Sequence, residues 1–288
     1  MAAVLVGADQ WTERRRRVRE LRELRPFARE VLDLYGALLA VQEDAYHQAL
    51  ATPPPPDRLE AYVAELVMPS VIDAALAAAP ERLRVAVSKR LEDGGPGSAL
   101  HAWIRDEPSP PVDTFLARAA TSPVLEALGE RAGEAFPGPR AGGTCPRCGA
   151  PPQLGWFAAA GEDLATGPRM LMCSRCHTSW GYARMTCPSC GEDSSSRLPI
   201  FSEEGASAGE RGSVIRGLPT GRTQPPADAV FPHIRIEACD TCRRYLLNVD
   251  TAGDPAAVPL VDELAAIPLD LVARDRGFTK ITPNLVGF

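Results

Sequence analysis

The 288-residue sequence has no apolar run near the ~18 residues that a membrane-spanning helix needs, so no membrane insertion is expected. It has no excess of basic charge. Its 31 Lys and Arg against 37 Asp and Glu leave a net charge of -6, which counts against a general nucleic-acid binder. Residues 1–10 hold a short apolar patch with no charged region before it, which does not read as a secretory signal. A cytoplasmic location is the default expectation. Aromatic residues make up only 6% and histidines number four, of which His47, His101 and His233 form no spacing pattern. With 24 Gly and 28 Pro the chain stays short of low complexity, and 45% hydrophobic residues exclude a wholly disordered protein. The length allows one large domain or two to three small ones with a real core.

There is also no leftover cysteine. All eight fall into C-x-x-C pairs: Cys145/Cys148, Cys173/Cys176, Cys187/Cys190 and Cys239/Cys242. Chance scattering would give fewer than one such pair. Disulfides suit small secreted domains, and dithiol redox motifs are usually single, so structural metal sites are the preferred reading. Two cysteines three apart on a tight turn can aim both sulfurs at one ion, and two turns complete a tetrahedron of thiolates. Four pairs predict two sites with no spare ligand.

The gaps between successive pairs are 24, 10 and 48 residues. Neighbour pairing joins the first pair to the second and the third to the fourth; interleaved pairing stays open at this point. A repeat favours the neighbours. Cys145-Pro-Arg-Cys-Gly149 and Cys187-Pro-Ser-Cys-Gly191 both place Pro in the turn and Gly after the second cysteine, where a positive φ is easiest. The other two knuckles follow strand-like runs at 169–172 and 233–237 and precede an aromatic residue, Trp180 or Tyr245. Knuckle, hairpin, knuckle is the zinc-ribbon or rubredoxin-like unit. His177 follows Cys176 and could replace a thiolate, but each site already has four sulfurs.

The cysteine-free residues 1–140 read as a helical domain. Leu21, Leu24, Ala28, Val31, Tyr35, Leu38 and Gln42 lie near one stripe of a long segment, 12–50, that Pro26 splits in two. Pro53 to Pro56 stop it. A second block starts at an N-cap, Asp57, breaks at Pro69 and runs to about Glu92. Shorter helices are expected at 97–106 and 113–135, and a linker at 136–143. The four-cysteine subdomains then span 141–184 and 185–250. Residues 203–229 look like an insertion in the second. A helical tail, 251–288, carries an amphipathic segment at 258–276 interrupted at Pro268 and ended by Gly277. The run at Arg14 to Arg19 reads as a solvated helix face near Glu13, Glu20 and Glu23.

The order and dressing of the motifs resemble one family, the formate dehydrogenase accessory protein FdhE. The resemblance rests on Cys145-Pro-Arg-Cys-Gly-Ala-Pro-Pro152, Cys173-Ser-Arg-Cys-His-Thr-Ser-Trp180, Cys187-Pro-Ser-Cys190 and Cys239-Asp-Thr-Cys-Arg-Arg-Tyr-Leu246. Val261-Asp-Glu-Leu264, Gly277-Phe278 and Pro283-Asn-Leu285 also look similar. The insertion at 203–229 is a departure that leaves the shape of the second ribbon open. The resemblance implies a cytoplasmic, non-enzymatic assembly factor for respiratory formate dehydrogenase that contacts its catalytic subunit before export. It implies metal on all eight cysteines, as two mononuclear rubredoxin-type iron ions per chain, or zinc. No nucleic acid is implied as partner, and there is room for a homodimer. Beside it stand a redox or metal- and sulfur-transfer protein working through such iron, and a zinc-ribbon nucleic-acid binder that would use Arg147, Arg175, Arg184, Arg243 and Arg244. A hydrolase is disfavoured, because four thiolates leave no open coordination position.

Overall fold

The computed structural model describes residues 8–157, 167–203 and 229–288. Most of the expected insertion at 203–229 lies outside them. Proline and glycine punctuate the helical region much as expected. Helix α1 (Ala8–Leu24) stops before Pro26, and α2 (Arg29–Ala51) stops before the proline run. Helices α3 (Leu59–Leu66) and α4 (Met68–Ala78) meet at a 42° bend beside Pro69. Then come α5 (Glu81–Glu92), α6 (Gly97–Ile104) and α7 (Pro111–Leu128). Two expectations are corrected. Asp57 caps no α-helix: it sits inside a 3-10 turn, Pro56–Arg58, with no side-chain capping bond. The expected helix at 113–135 ends at Leu128, where Gly129 takes φ +56°, and continues as a 3-10 turn, Gly129–Ala135.

Helix α7 is the axis of the bundle, buried from Phe115 to Leu125. It contains Pro123, which has no N–H to give to the carbonyl of Ala119 one turn back. That carbonyl is not orphaned. The buried Gln42 side chain of α2 donates to it at 2.9 Å. This explains the single polar member of the otherwise apolar stripe.

The cysteine-rich region forms one sheet. Strands β1 (Pro152–Phe157), β2 (Arg169–Cys173) and β3 (Ser179–Gly181) are antiparallel neighbours, as are β4 (Ile200–Ser202), β5 (Ile234–Ala238) and β6 (Arg244–Asp250). The two triplets join through a parallel pairing of β1 with β6, giving the order β3-β2-β1-β6-β5-β4. At this seam Gly155 faces Asn248, and a Cβ there would lie 2.6 Å from the Asn248 amide nitrogen. Helices α8 (Pro259–Ala265) and α9 (Ile267–Asp275) follow, divided near Pro268 as expected, and the short β7 (Thr279–Lys280) pairs with β6. The tail packs back on the bundle: Val261, Leu264 and Ala265 share a core with Trp11, Val18, Leu21 and Leu32.

The arginine run is not simply a solvated face. Arg16 fits the expectation, pairing with Glu13 and Glu20. Arg14 and Arg17 point inward and are 6% and 2% exposed. Arg14 grips Glu126 of α7 with two bonds of 2.6 and 3.2 Å. Arg17 grips Asp262 of α8 at 2.5 and 2.9 Å and Asp254 at 2.6 Å. A one-letter charge run carries no sign of which residues turn inward; the helical spacing of Arg14 and Arg17 with Trp11, Val18 and Leu21 is the cue.

This buried pair generates a prediction. Burial alone would raise the Asp262 carboxyl, but His233 and Arg17 outweigh it and hold it below the ordinary 3.8. A depressed carboxylate stabilises the fold above its unfolded value and loses that effect as pH falls through the folded value. Asp262→Asn should therefore cost about 1–3 kcal/mol at neutral pH, because Arg17 loses its buried partner and keeps only the less buried Asp254 and Glu20. In denaturant melts at several pH values, the gap to wild type should narrow only below about pH 4.

Candidate metal centres

The first, third and fourth C-x-x-C turns are closed by the same two backbone bonds, and the second has one of them, Cys173 N–H to Thr178 O at 2.9 Å. In the first knuckle Gly149 N–H donates to Cys145 O at 3.0 Å and Cys145 N–H to Ala150 O at 2.8 Å. In the third, Gly191 N–H donates to Cys187 O at 2.9 Å and Cys187 N–H to Glu192 O at 2.8 Å. Gly149 and Gly191 take φ +75° and +79°, as the sequence suggested. The other two knuckles put His177 (φ +53°) and Arg243 (φ +57°) at the same left-handed position. Sequence reading missed this, although the signal was present: both directly follow the second cysteine of a pair.

The pairs combine as neighbours. Cys145, Cys148, Cys173 and Cys176 bring their sulfurs within 4.8 Å of one another, and so do Cys187, Cys190, Cys239 and Cys242. Measured Sγ–Sγ separations are 3.7 Å (Cys145–Cys176), 3.4 Å (Cys148–Cys173), 3.7 Å (Cys187–Cys242) and 3.7 Å (Cys190–Cys239). A tetrahedron with metal–sulfur bonds of about 2.3 Å has edges of about 3.8 Å. No disulfide joins these cysteines. The donor set, its spacing and its geometry thus fit a tetrahedral thiolate-bound ion. The Cys173 sulfur also accepts backbone N–H bonds from Arg175 (3.3 Å) and Cys176 (3.4 Å), which favour its thiolate. Burial, and then the neighbouring sulfurs, push the Cys173 thiol up. Burial likewise pushes up Cys187. A cation entering these clusters must displace protons.

The first cluster lies inside the helical core, sharing it with Leu116, Ala120 and Val124 of α7. Arg175 seals it: its guanidinium sits 4.2 Å over the Phe136 ring and 5.1 Å from the centre of Trp103, and pairs with Asp106 at 2.6 Å. His177 stands outside the four sulfurs. Its Nδ1 is 3.2 Å from Glu126, the carboxylate that also holds Arg14. Burial alone would raise Glu126, but Arg14 and His177 outweigh it and bring it down to about 2. Burial lowers His177 against the pull of Glu126. The Arg14–Glu126 ion pair and the His177–Glu126 hydrogen bond therefore tie α1, α7 and the second knuckle together.

The second cluster lies at the sheet margin. Arg243 stacks 3.9 Å over Phe278 and donates to Arg276 O at 2.7 Å, tethering the fourth knuckle to the C-terminal tail. Thr241 donates to Glu192 at 2.5 Å, joining the two knuckles of this site.

A third group that sequence spacing could not reveal is His233, Asp254 and Asp262, whose ligand atoms also converge. His233 Nε2 is 2.8 Å from Asp262. Arg17 already occupies the position of a cation there, so the group is an ion-pair cluster.

Comparison with known proteins agrees with the motif reading. Residues 222–286 match the family model described as FdhE, C-terminal domain. That span includes Cys239 and Cys242 but neither Cys187 nor Cys190, so the second cluster needs ligands from before it. A protein FdhE homolog of Aquifex aeolicus is 32% identical over 144 residues, which is 50% of this chain and 41% of that protein. One of Pseudomonas aeruginosa is 31% identical over 142 residues, 49% of this chain and 38% of that protein. These matches thus span about two-fifths of the relatives' length. A crystal structure of the FdhE protein from Pseudomonas aeruginosa has the same fold, with a TM-score of 0.64 at 24% identity over 98% of this chain and 96% of that one. The resemblance to the FdhE family and the expected architecture, helical region, two four-cysteine clusters on a small sheet and C-terminal helices, are borne out.

The left-handed closures are testable. Arg243→Gly and Arg243→Val both lose the Phe278 contact, but only Val also meets a disfavoured backbone. The Val variant should be less stable than the Gly variant by about 1–3 kcal/mol in thermal or denaturant melts.

Proposed function

We propose that this chain is a non-enzymatic accessory protein for the assembly of respiratory formate dehydrogenase. It binds the catalytic subunit in the cytoplasm and holds one metal ion on each four-cysteine cluster. The observation that carries the reading is the pair of clusters with near-tetrahedral sulfur spacing on a fold shared with an FdhE protein. Cys145, Cys148, Cys173 and Cys176 would hold the first ion, and Cys187, Cys190, Cys239 and Cys242 the second. Zinc in such a site crosslinks two turns, and iron adds one-electron redox chemistry. What the chain itself supplies is orientation: the knuckle N–H bonds fix the sulfurs, and Arg175, His177 and Arg243 fasten the knuckles to their surroundings.

Four thiolates fill a tetrahedron, which supports a structural or carrier role over hydrolysis. The ribbon arginines support a partner other than nucleic acid. Arg147 pairs with Glu130, Arg175 with Asp106, and Arg243 with Asp240, while Arg244 donates to Lys280 O.

Protein purified without chelators should carry two metal ions per chain by atomic emission. Cys145→Ser and Cys239→Ser should each carry one. Because the first cluster is part of the bundle core, Cys145→Ser should also lower the helical melting transition more than Cys239→Ser. Wild-type protein should co-purify with a tagged catalytic subunit of formate dehydrogenase expressed beside it. Two metals retained in both variants would sink the ligand assignment, and failure to co-purify would sink the partner.

A further inference from the structure

The two clusters have the same ligands and opposite surroundings. In the first, all four cysteines are at most 2% exposed and belong to the bundle core. The knuckle at 173–176 is buried throughout, under the Arg175 stack on Phe136 and Trp103. Arg140 and Arg147 brace the other knuckle, Arg140 donating to Arg147 O at 2.8 Å and Arg147 to Thr178 at 2.8 Å. In the second cluster only Cys187 and Cys239 are buried, at 5% and 1%. Cys242 is half-buried and Cys190 is exposed. Their neighbours Ser189, Gly191, Asp240 and Thr241 are exposed too.

These differences bear on how an ion could leave. An incoming donor must reach the ion before the last sulfur lets go. At the first cluster this requires opening the stack of Arg175 on Phe136 and Trp103, which is a local unfolding of core. At the second, Cys190 lies at the surface on the exposed stretch 189–191, and opening the turn at 187–191 means parting Pro188 O from Gly143, which packs against it. The closing bonds of that turn are local, Gly191 N–H to Cys187 O and Cys187 N–H to Glu192 O. Among the described residues, a side-chain hydrogen bond between exposed or half-buried groups, Thr241 to Glu192, ties it to the other knuckle.

We propose that the second cluster is an exchange centre, loading and releasing its ion through the edge formed by Cys190 and Cys242, while the first is a locked structural centre. This rests on the reading that both clusters hold metal. In the exchange Cys190 leaves first: its bond to the ion breaks, a bond from the incoming donor replaces it, and its sulfur takes a proton from that donor or from solvent. No electron moves. An accessory protein built this way keeps its fold through one site while handing over or sensing metal at the other.

The test uses the full chain, reconstituted anaerobically with zinc and counted by atomic emission. The loaded protein is challenged with excess 4-(2-pyridylazo)resorcinol, and zinc release is followed by absorbance. A parallel sample receives N-ethylmaleimide, and the labelled cysteines are mapped by mass spectrometry over time. One zinc should leave roughly tenfold faster than the other or more, and label should appear first on Cys190 and Cys242. Arg175→Ala should speed the slow phase and leave the fast phase unchanged. Fewer than two zinc ions after reconstitution would overturn the two-site reading and this inference with it. Two zinc ions that leave in one phase, or early label on Cys145, Cys148, Cys173 or Cys176, would overturn this inference alone.

Discussion

Four sulfurs buried together can be tolerated in only two states. As thiols they pack like small hydrophobes; as thiolates they need nearby positive charge. The first cluster sits where this constraint is tightest, in the apolar core beside α7. The buried arginines around it point elsewhere: Arg118 donates to Gln153 and Pro283 O, and Arg175 to Asp106 and the Cys148 carbonyl. Compensation for the thiolate state therefore falls to an ion. An ion placed there would be a crosslink between the turn at 145–149, the turn at 173–177 and the bundle itself. Structural sites of this kind contribute on the order of 10–16 kcal/mol of apparent folding free energy.

The rest of the molecule is held in register by buried charge as much as by apolar packing. Arg14–Glu126–His177 links α1, α7 and a cysteine knuckle. Arg17–Asp262–His233 links α1, α8 and the start of β5. Lys280 of β7, 3% exposed, reaches Glu263 of α8 at 2.7 Å and Asp270 of α9 at 3.0 Å, and Tyr245 donates to Asp270 at 2.8 Å. Such clusters add little net stability compared with well-packed apolar groups of the same size. Their effect is on geometry. Each joins segments far apart in sequence, and each leaves a costly unpaired charge if the segments dock wrongly.

The sequence made legible what depends on local spacing. The helix breaks at Pro26, Pro69 and Pro268 and the knuckle glycines Gly149 and Gly191 are decided within a few residues, so they could be read directly. The convergence of the eight cysteines into two groups was legible because a repeat pairs neighbours. What was hidden is long-range. Nothing near Arg14 or Arg17 says that Glu126 and Asp262 will meet them. Nothing near His233 says that Asp262 will approach it. The parallel pairing of β1 with β6, which merges the two ribbons into one sheet, joins segments about ninety residues apart through backbone bonds that leave little mark on side-chain pattern. Asp57 misled because a good capping residue is also a good turn residue.

The duplicated unit also shows how one motif can acquire two characters without changing its ligands. The residue after the last cysteine of each unit must adopt a left-handed backbone, which usually selects glycine. Here it is His177 in one unit and Arg243 in the other, and each uses its outward-pointing position to reach a different neighbour. His177 reaches Glu126, on the axis of the bundle, and draws its knuckle into the core. Arg243 reaches Phe278 and Arg276, on the tail, and keeps its knuckle at the margin. Both side chains repay a small backbone strain with a long-range contact. The burial of one cluster and the exposure of the other thus run parallel to what the residue beside each site is tied to, the bundle axis in one case and the tail in the other.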